Sequence, residues 1–204
     1  MPISFPEPPR PVEEALEQSR ARGLPGILRR RGIDLGGAPD EAPVLPAQPV
    51  FSVGLDELLE PGGGEEAEKS VSAPPSWRYS GFDAEGRPEV MELAQEATGG
   101  AVATGDDRFS AMIREALAAA DQDPRVAEHG YEARLFRVPA LSLLALWLHT
   151  GAASDLFVPL GRTVPELEPN RVYSDEEFMK EVRAAAERIG GHYAEAEDAD
   201  ELGS

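Results

Sequence analysis

Residues 131–160, YEARLFRVPALSLLALWLHTGAASDLFVPL, decide how the fold is read. Residues 131–138 suit a first strand. Residues 141–149 are apolar at nearly every position, as in a strand covered on both faces. The loop Thr150-Gly151-Ala152-Ala153-Ser154 then leads to a third apolar run over 156–160. Pro139 and Pro159 belong at strand ends or bulges, because proline has no N–H to give to a ladder. A helical turn over 140–149 is the alternative, since Ala and Leu are good helix formers. The loop that follows favours the strand.

Two helices flank this stretch. Phe109, Met112, Ile113, Ala116, Leu117 and Ala120 recur at alternating spacings of three and one, which paints one face of a helix over 107–121. Asp106 is placed to cap it and Pro124 follows its end. Ser174-Asp175-Glu176-Glu177 reads as a capping box that opens a second helix over 175–189. Tyr173 and Phe178 are placed as its hydrophobic staple. Phe178, Val182, Ala185 and Ile189 continue the stripe, and Gly190-Gly191 is the expected stop. Residues 76–98 read as a hairpin that returns over 88–98. The helix alternative for the return begins at Pro88 and stops at Gly99-Gly100.

Both Trp, all four Tyr and five of the seven Phe lie beyond residue 74, so the aromatic mass of a core lies there. The fold expected is α+β: a small, mostly antiparallel sheet packed by two helices over 75–190, followed by an acidic tail at 191–204. Residues 1–74 are broken by PEPPRP, GGAPDEAPVLPAQP and PGGGEE. With apolar residues only in islands, this stretch buries too little surface to offset the entropy of ordering, and reads as a long disordered N-terminal arm.

The formal net charge is −19, from 38 acidic and 19 basic residues, and there is no cysteine. Thiolate metal sites, disulfides and cysteine nucleophiles are excluded. The charge opposes nucleic acid and anionic membranes as partners. No signal peptide or span is apparent, which points to the cytoplasm. The balance is uneven: residues 1–33 hold six Arg against four Glu, and residues 34–73 hold nine acids against one Lys.

Chemistry is sparsely marked. His129, His149 and His192 have no zinc spacing, and no metal or cofactor is expected. Paired acids such as Glu176-Glu177 sit at helix starts, where the dipole favours them. His149 and Asp155 converge if 141–160 is a hairpin, but a triad would also need a nucleophile such as Ser154 or Thr150, and neither is marked. The plainer reading is a histidine that ends a strand at the surface.

Two islands in the arm are sharper. Leu24, Ile27 and Leu28 stand beside Arg29, Arg30 and Arg31, which suits a groove with an acidic rim. Phe51 precedes Leu55, Leu58 and Leu59, whose i, i+3, i+4 spacing suits a peptide that folds as a helix on a partner or on this chain's own domain. The function expected is a non-enzymatic adaptor or accessory protein that binds a protein partner through these motifs and the α+β domain, with self-association as a further contact. One alternative is an enzyme whose site near 131–155 draws on His149, Asp155, Arg134, Arg137 and Tyr131. Another is an acidic decoy of a basic partner.

Overall fold

The computed structural model describes residues 3–15, 45–60, 76–82, 88–94, 102–104 and 107–201. They form a mixed α+β unit with a mostly antiparallel sheet. Strands β1 (Ile3–Ser4) and β2 (Gln48–Ser52) come first, followed by the short helix α1 (Leu55–Leu59). Strands β3 (Ser76–Phe82), β4 (Pro88–Ala94) and β5 (Val102–Thr104) lead to helices α2 (Asp107–Asp121) and α3 (Pro124–Glu128). Strands β6 (Tyr131–Val138), β7 (Leu143–His149), β8 (Leu156–Pro159) and β9 (Tyr173–Ser174) precede the long helix α4 (Asp175–Glu201).

The sheet runs β5-β4-β3-β2-β6-β7-β8-β9, and β1 pairs with β6. With nine strands it is larger than the small sheet expected from the sequence. Part of the difference is that two strands come from the first 74 residues. β7 takes one edge of β6, so β1 and β2 share the other end to end. β1 lies parallel to Tyr131 and Glu132, and β2 lies parallel to residues 135–137. β2 also pairs antiparallel with β3, so it joins β3-β4-β5 to β6-β7-β8-β9.

The strands and helices follow from the pattern that predicts them. In β6, residues 131, 133 and 135 face one side of the sheet and residues 136 and 138 the other. Pro139 opens a 3-10 turn that ends at Ser142, whose φ of 51° is the left-handed conformation that reverses the chain into β7. Residues 143–149 are a strand, and the return at 88–94 is the second arm of a hairpin with β3.

Each face has its own core. Helix α2 lays Phe109, Ile113, Ala116 and Ala120 against Val50, Leu135, Leu146, Leu148 and Val158. Helix α4 lays Phe178, Met179, Val182 and Ala186 against Phe136, Trp147 and Phe157, with Leu58 of α1 in the same cluster. Phe178 stacks on Phe157 at 4.4 Å, and Phe157 stacks on Trp147 at 5.9 Å. A third cluster gathers Trp77, Tyr79 and Leu93 beneath Val12 of a helical stretch at 10–15.

α2 has the expected limits, 107–121, while the end of α4 differs from expectation. Pro124 follows the end of α2, as expected. It is the first residue of α3, whose N-cap Asp123 accepts the Arg125 N–H at 2.9 Å. The capping box of α4 is present: Glu177 N–H donates to Ser174 Oγ at 3.3 Å, and Ser174 N–H donates to Glu177 Oε2 at 3.1 Å. The helix nevertheless passes through Gly190-Gly191 to Glu201. A glycine weakens a helix by about 1 kcal/mol, and the Ala and Glu residues that follow restore the preference. Gly190 also leaves room for α1, since a Cβ there would stand 3.0 Å from Leu59 Cδ1. Leu59 is 41% exposed and can turn outward. Gly190→Ala is therefore expected to raise the thermal midpoint, because alanine gains about 1 kcal/mol in a helix interior. A midpoint below wild type by circular dichroism would show that Leu59 is held rigidly in the seam.

Candidate functional site

Two polar clusters lie back to back on the sheet. The first is built around Asp155, at the closing end of the β7–β8 hairpin. Leu148 and Leu156 form the last pair of that ladder, and the loop between them folds Asp155 back over β7. Asp155 Oδ2 accepts the Trp147 Nε1–H at 2.7 Å and lies 3.0 Å from His149 Nδ1. Oδ1 accepts the Thr150 N–H at 3.0 Å. The Asp155 carbonyl accepts the Asp175 N–H at 3.1 Å, which ties the same residue to the first turn of α4. The Tyr131 hydroxyl donates to the Ser154 carbonyl at 3.4 Å. Burial, and next the nearby Asp155 charge, raise the Tyr131 pKa above the ordinary phenol value, so it stays a donor.

Arg134 lies on the same face as His149. Its Nε–H donates to Glu132 at 2.8 Å, and its guanidinium stands 5.0 Å from the centre of the Trp147 ring and 5.2 Å from that of Phe51. The expected convergence of His149 and Asp155 is thus seen. A carboxylate on Nδ1 is how a triad orients its histidine. Here the same carboxylate also fastens a buried indole and a loop amide, which is the work of a hairpin clamp.

The second cluster lies on the α2 face, where Arg137 points by strand alternation. Glu92 Oε2 accepts Arg78 Nη2–H at 2.8 Å and Arg137 Nη1–H at 3.0 Å, while Oε1 accepts the Ser76 hydroxyl at 2.6 Å. Arg137 Nε–H donates to Ser52 Oγ at 2.9 Å. The Arg78 guanidinium lies 5.0 Å from the centre of the Phe109 ring. Burial, the largest single influence on Glu92, pushes its pKa up. The Ser76 hydrogen bond and the Arg137 and Arg78 charges outweigh it, and the net pKa is lowered.

The residues expected of an enzyme site are therefore divided: His149, Asp155 and Arg134 lie on one face and Arg137 on the other, while Tyr131 is rooted on the α2 face and its hydroxyl reaches the Ser154 carbonyl beside Asp155. Of the second island, Phe51 touches Trp147, Leu55 and Leu58 pack with α4, and Leu59 is exposed. Leu24, Ile27, Leu28, Arg29, Arg30 and Arg31 lie outside the described residues, as do Asp106 and Gly99-Gly100. The Glu92 cluster escapes a motif search because its members come from four strands. The signal available was the in-phase polar run Ser76, Arg78, Ser80 in one strand.

An open groove of about 730 Å³ runs along α4 past Asp175, Met179, Lys180, Arg183 and Glu187. Among the described residues no group of three His, Asp or Glu side chains is placed to hold a metal ion, and no helix is long and apolar enough to cross a membrane. No protein-family model, curated protein or solved structure matches the chain.

Two expectations follow. Asp155→Ala leaves the buried Trp147 N–H without an acceptor and is expected to cost about 3 kcal/mol in urea unfolding, whereas Trp147→Phe orphans no buried N–H but opens a cavity at a fully buried site and is expected to cost about 2 kcal/mol. Equal stability of Asp155→Ala and wild type would remove the clamp. For Glu92 the folded pKa lies below the unfolded one. Its contribution is full above the unfolded value and is lost as pH falls through the folded value. In acid titrations of stability, Glu92→Gln should flatten this limb; an unchanged slope would show that Glu92 does not supply it.

Proposed function

We propose that this protein is a non-enzymatic adaptor or accessory protein that binds a protein partner. The domain supplies one contact and the N-terminal motif Leu24, Ile27, Leu28, Arg29, Arg30, Arg31 supplies another. The observation that carries this reading is the groove along α4. It is open and has charged side chains of both signs, Asp175, Lys180, Arg183 and Glu187, around Met179. Small-molecule sites are usually enclosed and mostly apolar, whereas this surface is suited to an extended or helical peptide. The use of Asp155 as a clamp also favours binding over catalysis, since its carboxylate is already engaged by the hairpin. Exposed Leu59, with Asp56 and Glu60 on and just beyond α1, offers an apolar point in an acidic surround beside α4.

Two linked contacts would gain from effective concentration. The full chain is cross-linked in lysate of its native host, the captured protein is purified, and its Kd is measured for three variants. These are alanine at the six motif positions, Lys180→Glu with Arg183→Glu, and both sets together. Each single set is expected to weaken binding at least ~10-fold, equivalent to about 1.4 kcal/mol, and the combination to weaken it further. Wild-type affinity in all three would overturn the proposal.

A further inference from the structure

Two guanidinium groups share one carboxylate at the β2–β3–β4–β6 junction. Arg78 Nη2 and Arg137 Nη1 lie 2.8 and 3.0 Å from the same atom, Glu92 Oε2. The two nitrogens therefore stand within about 6 Å of each other, and the set Arg78, Arg137 and Glu92 carries a net charge of +1 in a chain of −19. Each guanidinium has five N–H donors in a planar fork. Among the described residues, hydrogen bonds engage one of these donors on Arg78 and two on Arg137. Arg78 Nε is buried and has no hydrogen-bond partner. A charged donor left this way is costly unless an acceptor reaches it. The Ser52 and Ser76 hydroxyls border the cluster and can turn toward an added acceptor. The side chains of Arg78, Glu92 and Arg137 are 18%, 20% and 31% exposed, so a solvent anion meets the outer N–H groups of the two forks, while Arg78 Nε lies beneath them.

We propose that Arg78 and Arg137, with Ser52 and Ser76 beside them, bind a small oxyanion, phosphate or carboxylate, next to Glu92. Among the described residues the two guanidiniums share one carboxylate, and such a ligand supplies a second negative group. Its oxygens match the planar N–H fork, which favours bidentate contact. Glu92 keeps the two forks positioned and limits the site to one added anion, because a second would meet its carboxylate. The site lies on the opposite face from the His149–Asp155 cluster and is independent of the partner-binding reading.

The test is a thermal-shift titration of the full chain with inorganic phosphate, and separately with malonate, each against sodium chloride at matched ionic strength. Wild type is expected to gain about 2–4 °C beyond the chloride control at saturating anion. A gain with phosphate alone, malonate alone or both identifies the oxyanion class. Arg137→Gln should lose most of the gain. Arg137→Lys, which keeps the charge and loses the fork, should retain less than half. Ser52→Ala, a milder change that guards against misfolding of the Arg137 variants, should reduce it measurably. No gain over chloride in wild type, or an equal gain in wild type and all three variants, overturns the site.

Discussion

Strand β2 hydrogen-bonds to β3 on one side and to β6 on the other, and among the described residues it is the strand whose backbone ladders join the two halves of the sheet. Its five residues also reach both cores. Val50 enters the α2 face, Phe51 touches Trp147 on the α4 face, and Val53, just beyond its end, donates its N–H to the Arg137 carbonyl at 2.9 Å. Without this strand, β3 and β6 would each present an unpaired edge, a state that invites non-native pairing. The sheet therefore fixes the position of the N-terminal stretch that supplies it, and α1 is carried with β2 onto α4.

That arrangement accounts for the polar groups. Ser52 on β2 meets Arg137 on β6, and Arg137 meets Glu92 on β4, so one hydrogen-bonded chain crosses the junction that β2 makes. On the other face Asp155 closes the β7–β8 hairpin and holds the start of α4. Polar contacts of this kind specify register more than they add stability, because burying them without full pairing is costly. The aromatic stack Trp147–Phe157–Phe178 links the Asp155 clamp directly to the α4 core.

Elements with a long apolar period were legible in the sequence: α2 from Phe109 to Ala120, the opening of α4 from Ser174, and the β6–β7–β8 run. The helical spacing of Leu55, Leu58 and Leu59 was legible too, and so was the approach of Asp155 to His149, which any hairpin at 143–159 enforces. β2 was not. It is five residues long and contains Pro49, which ordinarily marks an edge. Its parallel pairing to β6 begins at Val50, one residue past the proline. The end of α4 was misplaced because two glycines outweigh their neighbours only when nothing downstream favours helix. The Glu92 cluster depends on the register of four strands, which no local pattern carries.

The junction also has a consequence in time. Ser52 and Arg137 are neighbours across β2 and β6 yet lie 85 residues apart in the chain. A nascent chain delivers β2, then β3, β4 and β5, and only much later the strand that completes the centre. Local hairpins such as β3–β4 close quickly, while a contact of this separation awaits the whole intervening length and is paid for in loop entropy. Until β6 emerges from the ribosome, β2 holds one open edge, and synthesis itself sets the earliest moment at which the two halves become one protein.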